Sequence, residues 1–258
     1  MSRGCAGAQP VVFPVFSPFP HPVAGRNIRA MNASALPGLF VTGTDTAVGK
    51  TYVAARLLFQ LRLKGIELHP RKPVESGCTS DDKGQLMPAD GLALARAVDH
   101  EDWLDIITPL RLAAPLSPDL AAREAGDSLR LEQLLAACQA PGPMLVEGAG
   151  GLLSPIAEDA LNADLAVALG FPVLVVADNR LGCVNQVLLT LEALERRGLW
   201  PLSVVLSRTR EEGDLSRTRN AAALRARIDA PVFDLPWQDD GRALRPLVDT
   251  LAELFSGN

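Results

Sequence analysis

The chain has 258 residues, of which 48% are apolar and 21% charged, and this composition is typical of a soluble globular protein. Lysine and arginine number 25, aspartate and glutamate number 30, and the net charge is −5. This acidic balance argues against non-specific binding to nucleic acid or to anionic membranes. No uncharged apolar stretch approaches the roughly eighteen residues of a membrane span. We therefore expect neither a nucleic-acid nor a membrane partner.

The four cysteines are spread along the chain without CxxC pairing, at Cys5, Cys78, Cys138 and Cys183. In a chain of this length they indicate reduced thiols in a cytoplasmic protein, with no disulfide framework or zinc site. The three histidines are equally scattered. Catalysis should therefore depend on lysine, carboxylate, hydroxyl and backbone groups.

Residues 1–37 differ from the rest because they contain six prolines and no periodic apolar pattern. Pro14, Pro18 and Pro20 interrupt the apolar core that a signal peptide needs. We expect this segment to be a disordered tail, or an extension upstream of a true start at Met31. A targeting role is the alternative.

From residue 38 onward short apolar runs alternate with longer amphipathic ones. Strands are predicted at residues 38–42, 68–72, 144–147, 173–177, 202–206 and 232–233. Helices are predicted at residues 51–64, 90–98, 128–138, 185–197, 216–227 and 243–255, with Asp127 or Ser128 capping the third. This alternation predicts one doubly wound α/β domain over residues 38–258, with a mainly parallel sheet and helices on both faces. Ligands should bind along the rim formed by the carboxyl ends of the strands.

The strongest single motif runs from Gly43 to Thr51, between the first strand and the first helix. Glycines let the backbone curl around phosphate oxygens, and the helix N-terminus supplies N–H groups. Lys50 would reach the β- and γ-phosphates, and the Thr51 hydroxyl would join a Mg²⁺ shell. Five residues rather than the usual four separate Gly43 from Gly49. A glycine-rich turn without a ligand is therefore the alternative.

Two further rim segments carry charged residues. Lys72 follows the second strand and could neutralise a transferring phosphoryl group, although a solvated surface lysine is the plain alternative. Glu147 ends the third strand beside a glycine run, where phosphate-loop enzymes place a magnesium-binding carboxylate. Asp90 lies at the start of a predicted helix and is either its cap or an oxygen ligand of Mg²⁺ together with Thr51 and Glu147.

Taken together, these segments resemble the dethiobiotin synthetases. The matching motifs are VTGTDT at 41–46, VGKT at 48–51, KPV at 72–74, SG at 76–77, VEGAGG at 146–151, LGC at 181–183 with Asn185, and LPW at 235–237. Many ATPases share the phosphate loop, but the KPVxSG segment combined with EGAGG is far more specific. The motifs follow the family's order over nearly everything after the proline-rich segment.

The resemblance implies a ligase of biotin biosynthesis that makes dethiobiotin from 7,8-diaminononanoate, CO₂ and MgATP. One amine would capture CO₂ as a carbamate, and the γ-phosphate would activate that carbamate as a mixed anhydride. The second amine would then close the ureido ring. The family is a homodimer in which the substrate tail reaches the neighbouring subunit.

The resemblance also implies roles for individual residues. Lys50, Lys72 and Thr46 would be catalytic, with Lys72 holding the carbamate, while Thr46 and Ser76 would hydrogen-bond the substrate. The other implied substrate contacts are Leu181, Gly182, Cys183, Val184 and Asn185. The implied contacts with ATP are Ala47, Val48, Gly49, Lys50, Thr51, Tyr52, Asp90, Glu147, Gly148, Ala149, Gly150, Ser207, Arg208, Pro236, Trp237 and Gln238.

The chain departs from the family pattern at two positions that bear on the nucleotide. Ala47 stands where the family often has glutamate, which removes a carboxylate beside the γ-phosphate. Ser207 stands where an asparagine commonly recognises adenine, and a hydroxyl cannot offer the paired donor and acceptor of an amide. We therefore expect weaker discrimination among purine nucleotides.

Two other classes share the fold. The ATP-dependent amidation domain of cobyrinate synthesis needs a glutaminase domain, for which this chain has no length left. A partition-type ATPase would act as a nucleotide-driven dimer switch on DNA or membrane. Such proteins usually carry an extra lysine early in the phosphate loop, where this chain has Thr44 or Asp45. The acidic balance and the segment from Lys72 to Ser76 also argue against a switch.

Overall fold

The computed structural model of the protein describes residues 36–211 and 215–257. The predicted proline-rich segment therefore lies outside the described residues, except for Leu36 and Pro37. Leu36 is buried, and its backbone amide donates to the carbonyl oxygen of Leu254. The first described residue is thus already packed against the C-terminal helix.

The strands within these ranges are β1 (Gly38–Gly43), β2 (His69–Arg71), β3 (Val74–Ser76), β4 (Thr79–Ser80), β5 (Leu86–Met87), β6 (Leu110–Leu112), β7 (Met144–Gly151), β8 (Pro155–Ala157), β9 (Ala160–Leu161), β10 (Val173–Asp178), β11 (Pro201–Ser207) and β12 (Val232–Leu235). The α-helices are α1 (Lys50–Leu63), α2 (Ala89–Val98), α3 (Leu104–Ile107), α4 (Pro118–Glu124), α5 (Leu131–Ala137), α6 (Asn162–Leu169), α7 (Cys183–Glu195), α8 (Arg217–Arg225) and α9 (Arg245–Ser256). None of these helices has both the length and the apolar character that spanning a bilayer requires.

The central sheet has the strand order β12-β11-β10-β1-β7-β2, and each neighbouring pair is parallel. The predicted α/β fold with a mainly parallel sheet is therefore confirmed. From β1 the chain crosses to the edge strand β2, returns to β7 beside β1, and then crosses to β10, β11 and β12 on the other side of β1. The connections therefore reverse direction around β1 and β7, and ligands bind in the crevice outside such a switch point. The phosphate loop follows β1 and so lies at this crevice.

Successive side chains along the strands point to opposite faces of the sheet and pack into two apolar cores. Phe40 of β1 packs in one core with residues of α5, α6, α7 and α8. Its neighbours Leu39 and Val41 pack in the other core with residues of α1, α2 and α9. Strands buried on both faces are continuous apolar runs, which is why the sequence indicated them clearly.

Two local predictions were wrong. The helix expected from residue 128 begins at Leu131, and among the described residues Asp127 accepts a hydrogen bond only from the adjacent amide of Ser128. The acceptors at that helix start are Gln133 and Asp159, which bind the amides of Arg130 and Leu131. The strand predicted at residues 144–147 is longer than expected, because β7 continues through the glycine run to Gly151.

Candidate active site

The phosphate loop depends on two backbone positions in the left-handed region. Gly49 has a φ of 93° and directly precedes α1, and Ala47 has a φ of 56°. Glycine adopts such angles without steric cost, whereas alanine does so rarely. A Cβ at Gly43 would lie 2.8 Å from the Asp45 carbonyl oxygen, so glycine is also needed where the loop turns back on itself.

Lys50, the first residue of α1, is buried at 6% exposure. Its Nζ donates to the Asp45 carbonyl oxygen at 3.1 Å. Burial, followed by the nearby charge of Lys72, lowers the pKa of Lys50 from 10.5 to about 8. A desolvated ammonium inside the loop is well placed to bind phosphate oxygens, whose charge would favour its protonated form.

Lys72 is a buried lysine at 2% exposure, contrary to the surface alternative. Its Nζ lies 2.7 Å from Glu147 Oε1 and 2.8 Å from Asp90 Oδ2, and it also donates to the Gly148 carbonyl oxygen at 3.3 Å. One ammonium therefore joins the end of β2, the start of α2 and the middle of β7. Burial opposes this charge, but Glu147 and Asp90 outweigh it and raise the pKa of Lys72.

Asp90 is not a cap of the helix that contains it. It is the second residue of α2, and its carboxylate faces Lys72. Burial favours the neutral acid, but the charge and hydrogen bond of Lys72, with the Thr51 hydroxyl and Lys50, lower the pKa of Asp90. The carboxylate is therefore held ionised at neutral pH.

Glu147 is fully buried, and its Oε1 accepts hydrogen bonds from both the Thr51 hydroxyl, at 2.8 Å, and Lys72. Its Oε2 has no hydrogen-bond partner among the described residues. A buried carboxylate oxygen without a partner is costly unless something else binds it. This oxygen, the Asp90 carboxylate and the Thr51 hydroxyl form a set of hard oxygen donors that fits Mg²⁺.

The described residues contain no cluster of three or more His, Cys, Asp and Glu side chains placed to hold a metal ion. The magnesium set is smaller, since it comprises two carboxylates and one hydroxyl. Magnesium commonly binds to one or two carboxylates and completes its shell with water and substrate phosphates. The absence of a larger cluster is therefore compatible with this donor set.

Glu75 and Thr209 also line the cleft, although neither was predicted from the sequence. Glu75 Oε1 accepts the Asp90 amide and Oε2 accepts the Gly91 amide, both at 2.9 Å. Burial and the nearby Asp90 raise the pKa of Glu75. Its place inside the KPVESG segment was the one available signal.

Asn162, the first residue of α6, fastens the glycine-rich end of β7. Its amide nitrogen donates to the carbonyl oxygens of Ala149 and Gly151, and its Oδ1 accepts the Ala149 amide. A Cβ at Gly148 would lie 2.6 Å from Asn162 Oδ1, so the close approach needs a glycine. These contacts fix the loop that closes one wall of the cleft.

The opposite wall is held by contacts between loops at the carboxyl ends of the strands. Arg208 donates to Asp234 at 3.0 Å, and the Thr209 hydroxyl donates to Asp178 at 3.0 Å. The Tyr52 hydroxyl of α1 donates to the Asp239 carbonyl oxygen. These bonds place the segments around Arg208 and Trp237 beside the phosphate loop.

The cleft between these walls has a volume of about 570 Å³. Fifteen of the residues named by the resemblance line it: Thr46, Ala47, Gly49, Lys50, Thr51, Tyr52, Lys72, Ser76, Asp90, Ala149, Gly150, Ser207, Arg208, Trp237 and Gln238. Nine others do not line it: Val48, Glu147, Gly148, Pro236, Leu181, Gly182, Cys183, Val184 and Asn185. Glu147 and Gly148 still reach the cleft through their bonds to Lys72. The segment from Leu181 to Asn185 is outside this lining and includes the start of α7, with Cys183 buried and Leu181 73% exposed.

Comparison with known proteins places this chain among named relatives. A family model described as an AAA domain matches residues 37–242. ATP-dependent dethiobiotin synthetase BioD from Anaeromyxobacter dehalogenans is 45% identical over 208 residues, which cover 79% of this chain and 91% of that protein. The enzyme of the same name from Caulobacter vibrioides is 42% identical, with 71% of this chain and 85% of that protein covered.

A more distant relative gives the same result. ATP-dependent dethiobiotin synthetase BioD from Ruthia magnifica is 37% identical over 197 residues, with 76% of this chain and 90% of that protein covered. All three relatives are therefore matched over most of their length. The family model spans the phosphate loop, Lys72, Asp90 and Glu147. On this evidence the chain belongs to the ATP-dependent dethiobiotin synthetase family of phosphate-loop ligases.

Proposed function

We propose that this enzyme carboxylates 7,8-diaminononanoate with CO₂ and closes the ureido ring of dethiobiotin, converting ATP to ADP and phosphate. The observation that carries the proposal is that Lys50 and Lys72 line one cleft beside the phosphate loop. A carbamate and a triphosphate are both anionic, so their reaction needs fixed cations where they meet. Membership of the ligase family supplies the reaction class.

In the proposed reaction one substrate amine attacks CO₂ and loses a proton, which gives a carbamate. A carbamate oxygen attacks the γ-phosphorus, the bond from that phosphorus to the bridging oxygen breaks, and ADP leaves. The second amine attacks the carbonyl carbon of the mixed anhydride and loses a proton, phosphate leaves, and the ring closes. Lys50 and the N–H groups of residues 47–51 would bind the phosphates, and Lys72 would hold the carbamate.

Thr51, Asp90 and Glu147 would hold the magnesium ion. When bound there, Mg²⁺ would neutralise charge on the phosphates of ATP. The unpartnered, fully buried Oε2 of Glu147 supports this assignment because it is an anionic donor that no described group satisfies. Thr51 and Glu147 are already joined by a hydrogen bond of 2.8 Å, so two of the three donors lie side by side.

The substrate contacts form the next part of the proposal. Thr46 and Ser76, which both line the cleft, would bind the diamine through their hydroxyls. Leu181 to Asn185 would meet the substrate of a neighbouring subunit in a homodimer. Leu181 is apolar and 73% exposed, so it is accessible to a partner subunit. We place the enzyme in the cytoplasm, where buried thiols such as that of Cys78 stay reduced.

The decisive measurement is release of ADP from ATP with and without the diamine and bicarbonate. We expect rapid release only when both are present, because the carbamate is the phosphoryl acceptor. A substrate analogue with a single amine should yield no cyclic product, since ring closure needs the second amine. A rate of ADP release that is the same with and without the diamine and bicarbonate would instead favour the nucleotide-driven switch.

Ser207 should determine how strongly the enzyme prefers ATP over GTP. Ser207 lines the cleft and is 2% exposed. Its hydroxyl oxygen lies close to the phosphate loop, since a Cβ added at Gly49 would be 2.6 Å from it. Ser207→Asn should raise the preference for ATP over GTP about fivefold, because an amide adds a paired donor and acceptor worth ~1 kcal/mol. The ratio of kcat/KM for the two nucleotides measures it. Ser207→Ala is the matched control and should leave the ratio unchanged; an unaltered ratio in Ser207→Asn would contradict the proposed role.

A further inference from the structure

The start of α2 has an unusual cap. The residue that precedes the helix is Pro88, which has no side-chain acceptor and makes no side-chain cap bond. The first amides of a helix have no partner within it and need acceptors from elsewhere. At α2 the acceptor comes from β3, since the Glu75 carboxylate binds the amides of Asp90 and Gly91 with one oxygen each, at 2.9 Å.

The Glu75 cap acts on Asp90, one of the residues of the active-site cleft. Residues 72–75 hold Asp90 by both its side chain and its backbone, because Lys72 contacts its carboxylate and Glu75 accepts its amide. Glu75 is 6% exposed, and rotation of its side chain is restricted by two hydrogen bonds in a packed surrounding. Removing the carboxylate would free the first turn of α2 and with it the backbone that carries Asp90.

A second contact restricts the same turn. A Cβ at Gly91 would lie 2.2 Å from the Thr108 hydroxyl, so α2 can approach that residue only with glycine there. The first turn of α2 is therefore packed against Thr108 and hydrogen-bonded to Glu75. This leaves Asp90 with little freedom of position.

We propose that Glu75 is a positioning residue that fixes Asp90 for magnesium binding. The inference rests on the proposed function, in which Asp90 is a metal ligand. A group that orients a ligand without touching the metal typically contributes about 10- to 100-fold to metal affinity. Although Glu75 lines the cleft, each of its carboxylate oxygens accepts an amide of α2, and we assign its effect to that backbone.

The test measures binding of Mn²⁺, as a spectroscopic substitute for Mg²⁺, to the protein saturated with a non-hydrolysable ATP analogue. Glu75→Gln should weaken Mn²⁺ binding about tenfold, because the amide keeps one acceptor but turns a donor toward the other N–H. The Mg²⁺ concentration for half-maximal ADP release should rise by a similar factor, with kcat at saturating Mg²⁺ changed less than threefold. If Glu75→Gln folds poorly, Glu75→Asp serves, since it keeps the charge but withdraws the carboxylate by one methylene.

Two comparison variants separate the possible outcomes. Gln133→Ala removes an equivalent cap at α5, far from Asp90 in the chain, and should lower thermal stability without changing Mn²⁺ affinity. Asp90→Asn removes the ligand itself and should weaken Mn²⁺ binding more than Glu75→Gln does.

Weakened binding in Asp90→Asn with normal binding in Glu75→Gln would overturn only the role of Glu75. Normal binding in Asp90→Asn would overturn the metal assignment as well, and equal losses in Gln133→Ala and Glu75→Gln would reduce Glu75 to a general structural role.

Discussion

Lys72→Gln is expected to lose turnover by roughly a hundred- to thousand-fold, the usual cost of removing one group that stabilises charge in the transition state. It should also lower the free energy of unfolding by about 3 kcal/mol or more. The reason is that Lys72 is the cation paired with the fully buried Glu147 at 2.7 Å. Removing one partner of a buried ion pair leaves the other charge uncompensated.

Urea unfolding and ADP release, both measured well below the thermal transition, give the two effects separately. The matched control is the double variant Lys72→Gln with Glu147→Gln, in which the fully buried carboxylate is removed together with its cation and only Asp90, whose side chain is 40% exposed, loses its partner. It should recover most of the lost stability, because an amide pair needs no counter-ion. It should recover no activity, since the cation for the carbamate is still missing. Normal turnover by Lys72→Gln would contradict the catalytic role, and equal instability of the double variant would contradict the electrostatic explanation.

The central sheet was predictable from sequence because its strands are long apolar runs between turns. β1, β10 and β11 were each placed within a residue or two of their observed ends. The short strands β3 and β6 were missed, because three residues carry no measurable periodicity and their pairing joins segments about 35 residues apart. Helix α6 was missed because it follows directly on a two-residue strand and has apolar residues on most of its surface.

The site was predictable in its residue types but not in its contacts. Strand ends and glycine runs indicated Lys72 and Glu147 as rim residues. The sequence could not show that one lysine would be enclosed by two carboxylates, because these pairs span 18 and 75 residues and depend on the fold. Glu75 was missed for a related reason: its partners are backbone amides, and any residue type can supply an amide.

Lys50→Met should abolish turnover and at the same time stabilise the nucleotide-free protein. Within the described part of the chain the buried ammonium makes one hydrogen bond, to the Asp45 carbonyl oxygen, and its charge is disfavoured by burial and by Lys72. The fall of its pKa from 10.5 to about 8 corresponds to an unfavourable contribution of roughly 3 kcal/mol at neutral pH. A methionine of similar length removes that charge and keeps an apolar stem. Urea unfolding at pH 7 should therefore show a gain of about 1–3 kcal/mol.

The pH dependence of the same comparison tests the cause. Below pH 8 both the folded and the unfolded wild-type chain keep the Lys50 proton, so the full cost is present. Between pH 8 and 10.5 the folded chain releases this proton while the unfolded chain retains it, and wild-type stability rises. The advantage of Lys50→Met should consequently shrink as the pH is raised from 7 to 9.5, while contributions common to both proteins cancel.

The nucleotide should reverse the order of stability. A bound ATP analogue places phosphate charge beside Lys50, which then gains a counter-ion, so the wild type should be stabilised by the analogue much more than Lys50→Met. The dependence of thermal stability on analogue concentration measures the difference. If Lys50→Met were less stable than the wild type without nucleotide, or gained equally from it, then Lys50 would hold the fold together rather than bind phosphate at a cost to stability.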